Sequence, residues 1–173
     1  VGTPTAPDGP ALHPSVSCLG FLLGTWVGEG TGSYPTVPTF SYREETTFSH
    51  SGQPFLTYSQ RTWSTSDGRP LHVETGYWRA GPDGHVELVV AHPTGVAEVE
   101  EGTLRPEGGP GDPPGWHLEL SSRFVGLTTT AKDVSTLSRS LLAQGHVLSY
   151  RLVMGAVGQL PRQHLVARLE RAR

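Results

Sequence analysis

Eight histidines and one cysteine are the residues of this chain best suited to bind a metal or to carry out polar chemistry. No two histidines stand at His-x-His or His-x-x-x-His spacing, and Cys18 belongs to no Cys/His cluster. A metal site would therefore have to be assembled across strands rather than from one local segment. Cys18 has no basic neighbour to lower its pKa, so it reads as a small hydrophobe or idle thiol rather than a nucleophile. The chain has no Gly-x-Ser-x-Gly elbow and no phosphate-binding glycine loop. Gly28, Gly30 and Gly32 alternate, but a Tyr34-Pro35 turn follows them instead of a helix. They read as places where a strand bends or another backbone comes close.

Composition narrows the function classes. The chain has 173 residues and a formal charge of −3, with acids and bases mixed and no basic run. One domain is expected, large enough to bury a core without cross-links. Nucleic acid and anionic membrane are poor partners for such a surface. No apolar run approaches the roughly 20 residues that span a bilayer. A single cysteine forms no internal disulfide, and residues 1–14 lack the charged start and apolar core of a signal peptide. The expectation is a cytoplasmic protein. The segment Val1 to Pro14 holds four prolines and two glycines, which predicts a flexible leader over about 1–15 and a folded domain over 16–173.

The elements that must position any site are strands. The apolar segment Val16 to Leu23 reads as one or two helical turns that plug or lead into the fold. From Thr25 onward, turn signals recur between alternating runs. Val86, Leu88 and Val90 share one face, as do Trp116, Leu118 and Leu120, and Leu148, Tyr150, Leu152, Met154 and Ala156. In Val96 to Glu100, alternation sets Glu98 and Glu100 on one face, read as the solvent side. Asp67-Gly68 and Asp83-Gly84 mark tight hairpins, Ser51-Gly52 and Gln144-Gly145 weaker ones, and 105–115 a Pro/Gly loop. About ten strands result, near 25–32, 40–50, 54–65, 71–80, 85–92, 95–104, 116–122, 132–142, 146–156 and 162–171. The class is all-β, and the pattern alone leaves a sandwich and an up-and-down barrel both open. A barrel of about eight strands or more leaves room for a small ligand. In the last strand, alternation puts Leu165, Ala167 and Leu169 inward and His164 on the opposite face with Val166 and Arg168.

The run Gly24-Thr25-Trp26-Val27-Gly28-Glu29-Gly30, continued by Gly32-Ser33-Tyr34-Pro35-Thr36, is the most distinctive stretch of the chain. It resembles the nitrobindins, small ten-stranded haem-binding barrels that also form the C-terminal domain of THAP-type proteins. The blocks FSYREETTFSHSGQPFLTYSQ, RPLHVETGYWR, VVAHPTGVAEVEEGTL, TAKDV and the closing QHL agree in the same order. The similarity runs from Leu19 to Arg171, with a longer 105–115 loop and an unmatched leader.

That resemblance implies a single ten-stranded antiparallel up-and-down barrel, lipocalin-like or fatty-acid-binding-protein-like, with a short N-terminal helical segment. It implies one haem b per chain with His164 as the axial iron ligand. It places Leu71, His72 and Met154 on the cavity wall, with His92 beside them where many relatives carry glutamine. Thr36 and Lys132 match positions near the haem, suited to its propionates. The implied activity is isomerisation of peroxynitrite to nitrate at ferric haem, with reversible nitric oxide binding. Small molecules are then the partners, and the oligomeric state is open between monomer and homodimer. Two alternatives stand beside it: a non-catalytic haem or nitric oxide sensor or carrier, and a lipid carrier without haem.

Overall fold

A computed structural model of the chain describes residues 9–109, 111 and 114–172. The flexible leader read over 1–15 lies mostly outside the described residues, as does part of the 105–115 loop. A 3₁₀ helix at Pro14–Leu22 precedes ten strands: β1 Gly24–Tyr34, β2 Val37–Ser49, β3 Leu56–Ser64, β4 Pro70–Ala80, β5 His85–Ala91, β6 Val96–Glu107, β7 Gly115–Leu127, β8 Val134–Gln144, β9 Val147–Ala156 and β10 Arg162–Arg171. A second short 3₁₀ turn, Pro82–Gly84, joins β4 to β5. Each strand pairs antiparallel with its sequence neighbours, and β1 also pairs with β10, which closes the barrel. Closure removes both sheet edges and rules out the sandwich. Strands β6 and β7 run to Glu107 and from Gly115, so the long hairpin loop is shorter than the Pro/Gly signal suggests.

Turn chemistry matches the hairpins. Gly68, Gly84 and Gly145 all take positive φ, at 72°, 75° and 59°, conformations that a residue without Cβ adopts at little cost. Because the topology is up-and-down, the 3₁₀ helix and the β2–β3, β4–β5, β6–β7 and β8–β9 connections share one end of the barrel. The other five connections share the opposite rim.

The first end is closed. Val16, Leu19 and Leu22 recur every three residues, the period of a 3₁₀ helix, and all three are fully buried. They pack into one apolar cluster with Trp26, Phe48, Leu56, Trp78, Leu88, Leu118 and Leu169. Trp26 donates from its indole Nε1 to the Leu22 carbonyl at 2.7 Å. Arg171 lies over the Trp26 ring at 4.2 Å and donates to the carbonyls of Phe21 and Leu23. Carbonyls at the end of the helix are thereby satisfied by the last residue of β10, which pins the plug to that strand.

The glycines of β1 make room for the interior. Trp26, Gly28, Gly30, Gly32 and Tyr34 share its inner face. A Cβ on Gly28 would fall 2.2 Å from the Arg168 carbonyl oxygen, and one on Gly30 would fall 2.4 Å from the Tyr42 ring. Close approach is therefore the physical role of the Gly-x-Gly alternation. Gly24, at φ 111°, makes the turn out of the plug helix.

Candidate functional site

Above the apolar floor the interior changes character. One sequence expectation is overturned here: Glu98 and Glu100 do not face solvent but point into the barrel, 1 % and 0 % exposed. Alternation fixes which residues share a face, but it cannot say which face is inside when the inner face is charged. The reason these carboxylates tolerate burial is Arg139 on β8. Its Nε donates to Glu100 Oε1 at 2.8 Å, its Nη2 to Glu98 Oε2 at 2.9 Å and its Nη1 to Glu74 Oε1 at 3.2 Å. A guanidinium offers five donors in a fixed fork, so a single arginine can bind three carboxylates.

Titration in this layer is set by the same contacts. Burial works to raise Glu74, but Arg139, the neighbouring His72 and His92 outweigh it and hold Glu74 down to about 2. Glu98 is likewise held low, burial being outweighed by Arg139 and His92. Burial pushes Glu100 up to about 7, assisted by the nearby Glu98. Its second oxygen is buried without a hydrogen-bond partner. Across the barrel, Glu44 accepts from Tyr150, Thr46 and Gln60 at 2.6, 2.7 and 2.8 Å. Burial still raises its pKa above the usual carboxylate value. The sequence did not mark this layer as a buried polar network, because most of the pairs that hold it are 16 to 106 positions apart.

The open rim holds the residues expected at the cavity. His164 sits on β10 at an irregularity of register: Gln163 pairs with Val153 and Leu165 with Leu152, leaving His164 as the extra residue of a β-bulge. The bulge resolves the conflict of phase. Leu165, Ala167 and Leu169 face inward as alternation predicts, while the bulge re-aims His164 so that it too reaches the inner side. Its ring lies edge-on to Tyr34, at 5.4 Å, and to Phe40, at 6.5 Å. Nδ1 is 3.1 Å from the Ser33 carbonyl oxygen. A carbonyl can only accept, so Nδ1 carries the hydrogen and Nε2 keeps its lone pair. Burial depresses the imidazolium, helped by the nearby His72 and opposed by the Ser33 bond. Histidine 164 is therefore a neutral, oriented nitrogen donor.

The remaining expectations divide into two groups. His72 and His92 come together on the inner face: His72 Nε2 is 3.0 Å from His92 Nδ1, and both rings face Glu74. Leu71, Phe40 and Leu165 pack against the core yet stay partly exposed, and Met154 on β9 is half-buried too. Of these, Phe40 lies against the His164 ring. Thr36, in the β1–β2 turn, and Lys132, two residues before β8, are both exposed. Tyr34 ties the rim together: its hydroxyl accepts from the Ala156 amide at 2.8 Å.

The donor set fits haem iron. An axial histidine needs a free Nε2, a second partner that fixes the tautomer and apolar walls for the macrocycle. His164 and the Ser33 carbonyl supply the first two, and Phe40 is an apolar ring beside them.

Residues 15–171 match the family described as the THAP4-like, heme-binding beta-barrel domain. Peroxynitrite isomerase 2 of Mycobacterium marinum is 51 % identical over 160 residues, covering 92 % of this chain and 96 % of that protein. Peroxynitrite isomerase 1 of Mycolicibacterium paratuberculosis is 48 % identical over 162 residues, covering 94 % and 98 %. The crystal structure of Rv2717c from M. tuberculosis superposes with a TM-score of 0.88 at 49 % identity, over 94 % of this chain and all of that one. The chain belongs to the nitrobindin family of THAP4-like haem-binding β-barrels.

Proposed function

We propose that this chain binds one haem b through His164 and isomerises peroxynitrite to nitrate. The observation that carries the reading is the neutral imidazole held by the Ser33 carbonyl at an inward bulge of β10. Family membership and the names of the relatives agree with it. Ferric haem would supply an electrophilic centre for a peroxide oxygen. Substrate and product contain the same atoms and charge, so the conversion needs no external reductant and no net proton. The chain's part is to hold one axial nitrogen, exclude water with Phe40, Leu71, Met154 and Leu165, and leave the opposite side accessible. Thr36 and Lys132, both exposed, would serve the propionates, which a hydroxyl and an ammonium suit. Nitric oxide is a second ligand of the same site, and the exposed, unpaired Cys18 fits a reducing cytoplasm.

The test is a hemin titration of the purified chain and of His164→Ala, followed by stopped-flow decay of peroxynitrite. A stoichiometric Soret band and catalysed nitrate formation in the wild type, both lost in the variant, support the reading. A Soret band without accelerated decay would leave a haem or nitric oxide carrier. No saturable band would leave a barrel for another apolar ligand.

A further inference from the structure

Beside the haem position, two histidines and a carboxylate converge on one point. His72 and Glu74 alternate on β4 and so share its inner face. Thr75 pairs with Ala91, which places His92 across from Glu74 just past the end of β5. His72 Nε2 and His92 Nδ1 are 3.0 Å apart, and each lies close to Glu74 Oε2, at 3.5 and 3.4 Å. Zinc bonds of about 2.0–2.1 Å subtending a tetrahedral angle put ligand atoms about 3.3 Å from one another. The three separations match that spacing.

The surroundings are those of a supported ligand set. Glu74 uses Oε2 for the cluster while Oε1 accepts from the Tyr58 hydroxyl at 2.6 Å and from Arg139 at 3.2 Å. The far nitrogen of His92 lies 2.7 Å from Glu98 Oε1, so a carboxylate stands on the side of the ring away from the cluster. That nitrogen has no aligned hydrogen bond in this geometry, so Glu98 acts on it chiefly as a nearby charge. Arg139 also cannot neutralise both Glu74 and Glu98, which leaves negative charge facing the three donors. The side chains of Glu74 and His92 are 5 % and 7 % exposed, while that of His72 is 34 % exposed, so the cluster opens on its His72 side.

We propose that His72 Nε2, Glu74 Oε2 and His92 Nδ1 bind one divalent transition-metal ion, with a fourth position open toward the cavity mouth. Two imidazoles and one carboxylate favour zinc over magnesium or calcium, which take oxygen ligands. The site shares no ligand with the haem position and does not depend on the catalytic reading.

The test uses the full chain, stripped of metal by chelation, with and without bound hemin. Isothermal titration with zinc chloride should give one ion per chain. Cobalt(II) added to the hemin-free chain should give the visible absorption of a tetrahedral site. His72→Gln and His92→Gln should each weaken zinc by at least about tenfold, whereas His164→Ala should leave zinc affinity unchanged. Far-ultraviolet circular dichroism and melting temperature establish that each variant is folded. Glutamine is the conservative choice, since it keeps a polar amide near the ring positions. Zinc uptake no greater in the wild type than in a folded His72→Gln/His92→Gln double variant would overturn the proposal. So would zinc uptake that disappears with His164.

Discussion

The His164 imidazole is bonded through Nδ1 to the carbonyl of Ser33, 131 positions earlier in the chain, at 3.1 Å. The bond crosses from β10 to β1, the two strands whose pairing closes the barrel. Barrel closure and ligand orientation are thus one event: a chain that failed to close would leave His164 free to rotate and to protonate. The Ser33 acceptor is a backbone group, so no side-chain substitution at that position removes it.

Because burial depresses the His164 imidazolium, protons compete weakly for its nitrogen. Haem ligation by His164 should therefore survive acidification below the usual histidine value near 6.5. A Soret titration against pH checks this. Loss of the ligated band centred above 6.5 would contradict it.

Gly30 is required by its neighbours. An added Cβ would lie 2.4 Å from the Tyr42 ring and 2.6 Å from the Val166 carbonyl oxygen. Gly30→Ala should destabilise the fold by about 1–3 kcal/mol through overpacking, read from urea unfolding. Gly145→Ala is a useful contrast: no atom lies within 4 Å of its added Cβ, so any cost there comes from its positive φ of 59°.

Arg139 binds three buried carboxylates at once. Removing it leaves Glu74 and Glu98 buried without their main partner. Arg139→Met should cost about 3–5 kcal/mol, measured by chemical denaturation at neutral pH. Lowering the pH should recover part of that loss, since the abandoned carboxylates then take up protons.

Glu100 gives an opposite pH dependence. Its folded pKa is raised from 4.5 to about 7, so the protonated form is the one that folding favours. Its contribution is full below about 4.5 and is lost as pH rises through 7. Arg139 and Glu98 are the charges that face it. In Glu100→Gln, which keeps a neutral planar group, the stability profile between those values should flatten. An unchanged slope would place the titration on another group.

Much of the fold was legible because hairpins are local. Asp67-Gly68 and Gln144-Gly145 sit at the turns they predict, and the apolar faces of β5, β7 and β9 follow their alternation. The apolar segment Val16 to Leu23, read as a helical turn or two at the barrel's start, is the plug helix Pro14–Leu22. The glycine motif and the QHL ending identified the family before any coordinate was needed.

What sequence alone determined, then, is the order of strands, their periodicity and the motif residues that mark the family. Tertiary structure decided which face is inside and which donors meet. Glu98 and Glu100 read as solvent-facing because their charge is offset chiefly by Arg139, about forty positions away. His164 read as outward because a bulge is a property of two strands in register, not of either strand alone. His72, Glu74 and His92 carry no metal-binding spacing along the chain, yet adjacent strands bring them within 3.5 Å. Side-chain alternation and turn preference act over a few residues. Compensation of buried charge and convergence of ligands act through space, and only the closed barrel sets those distances.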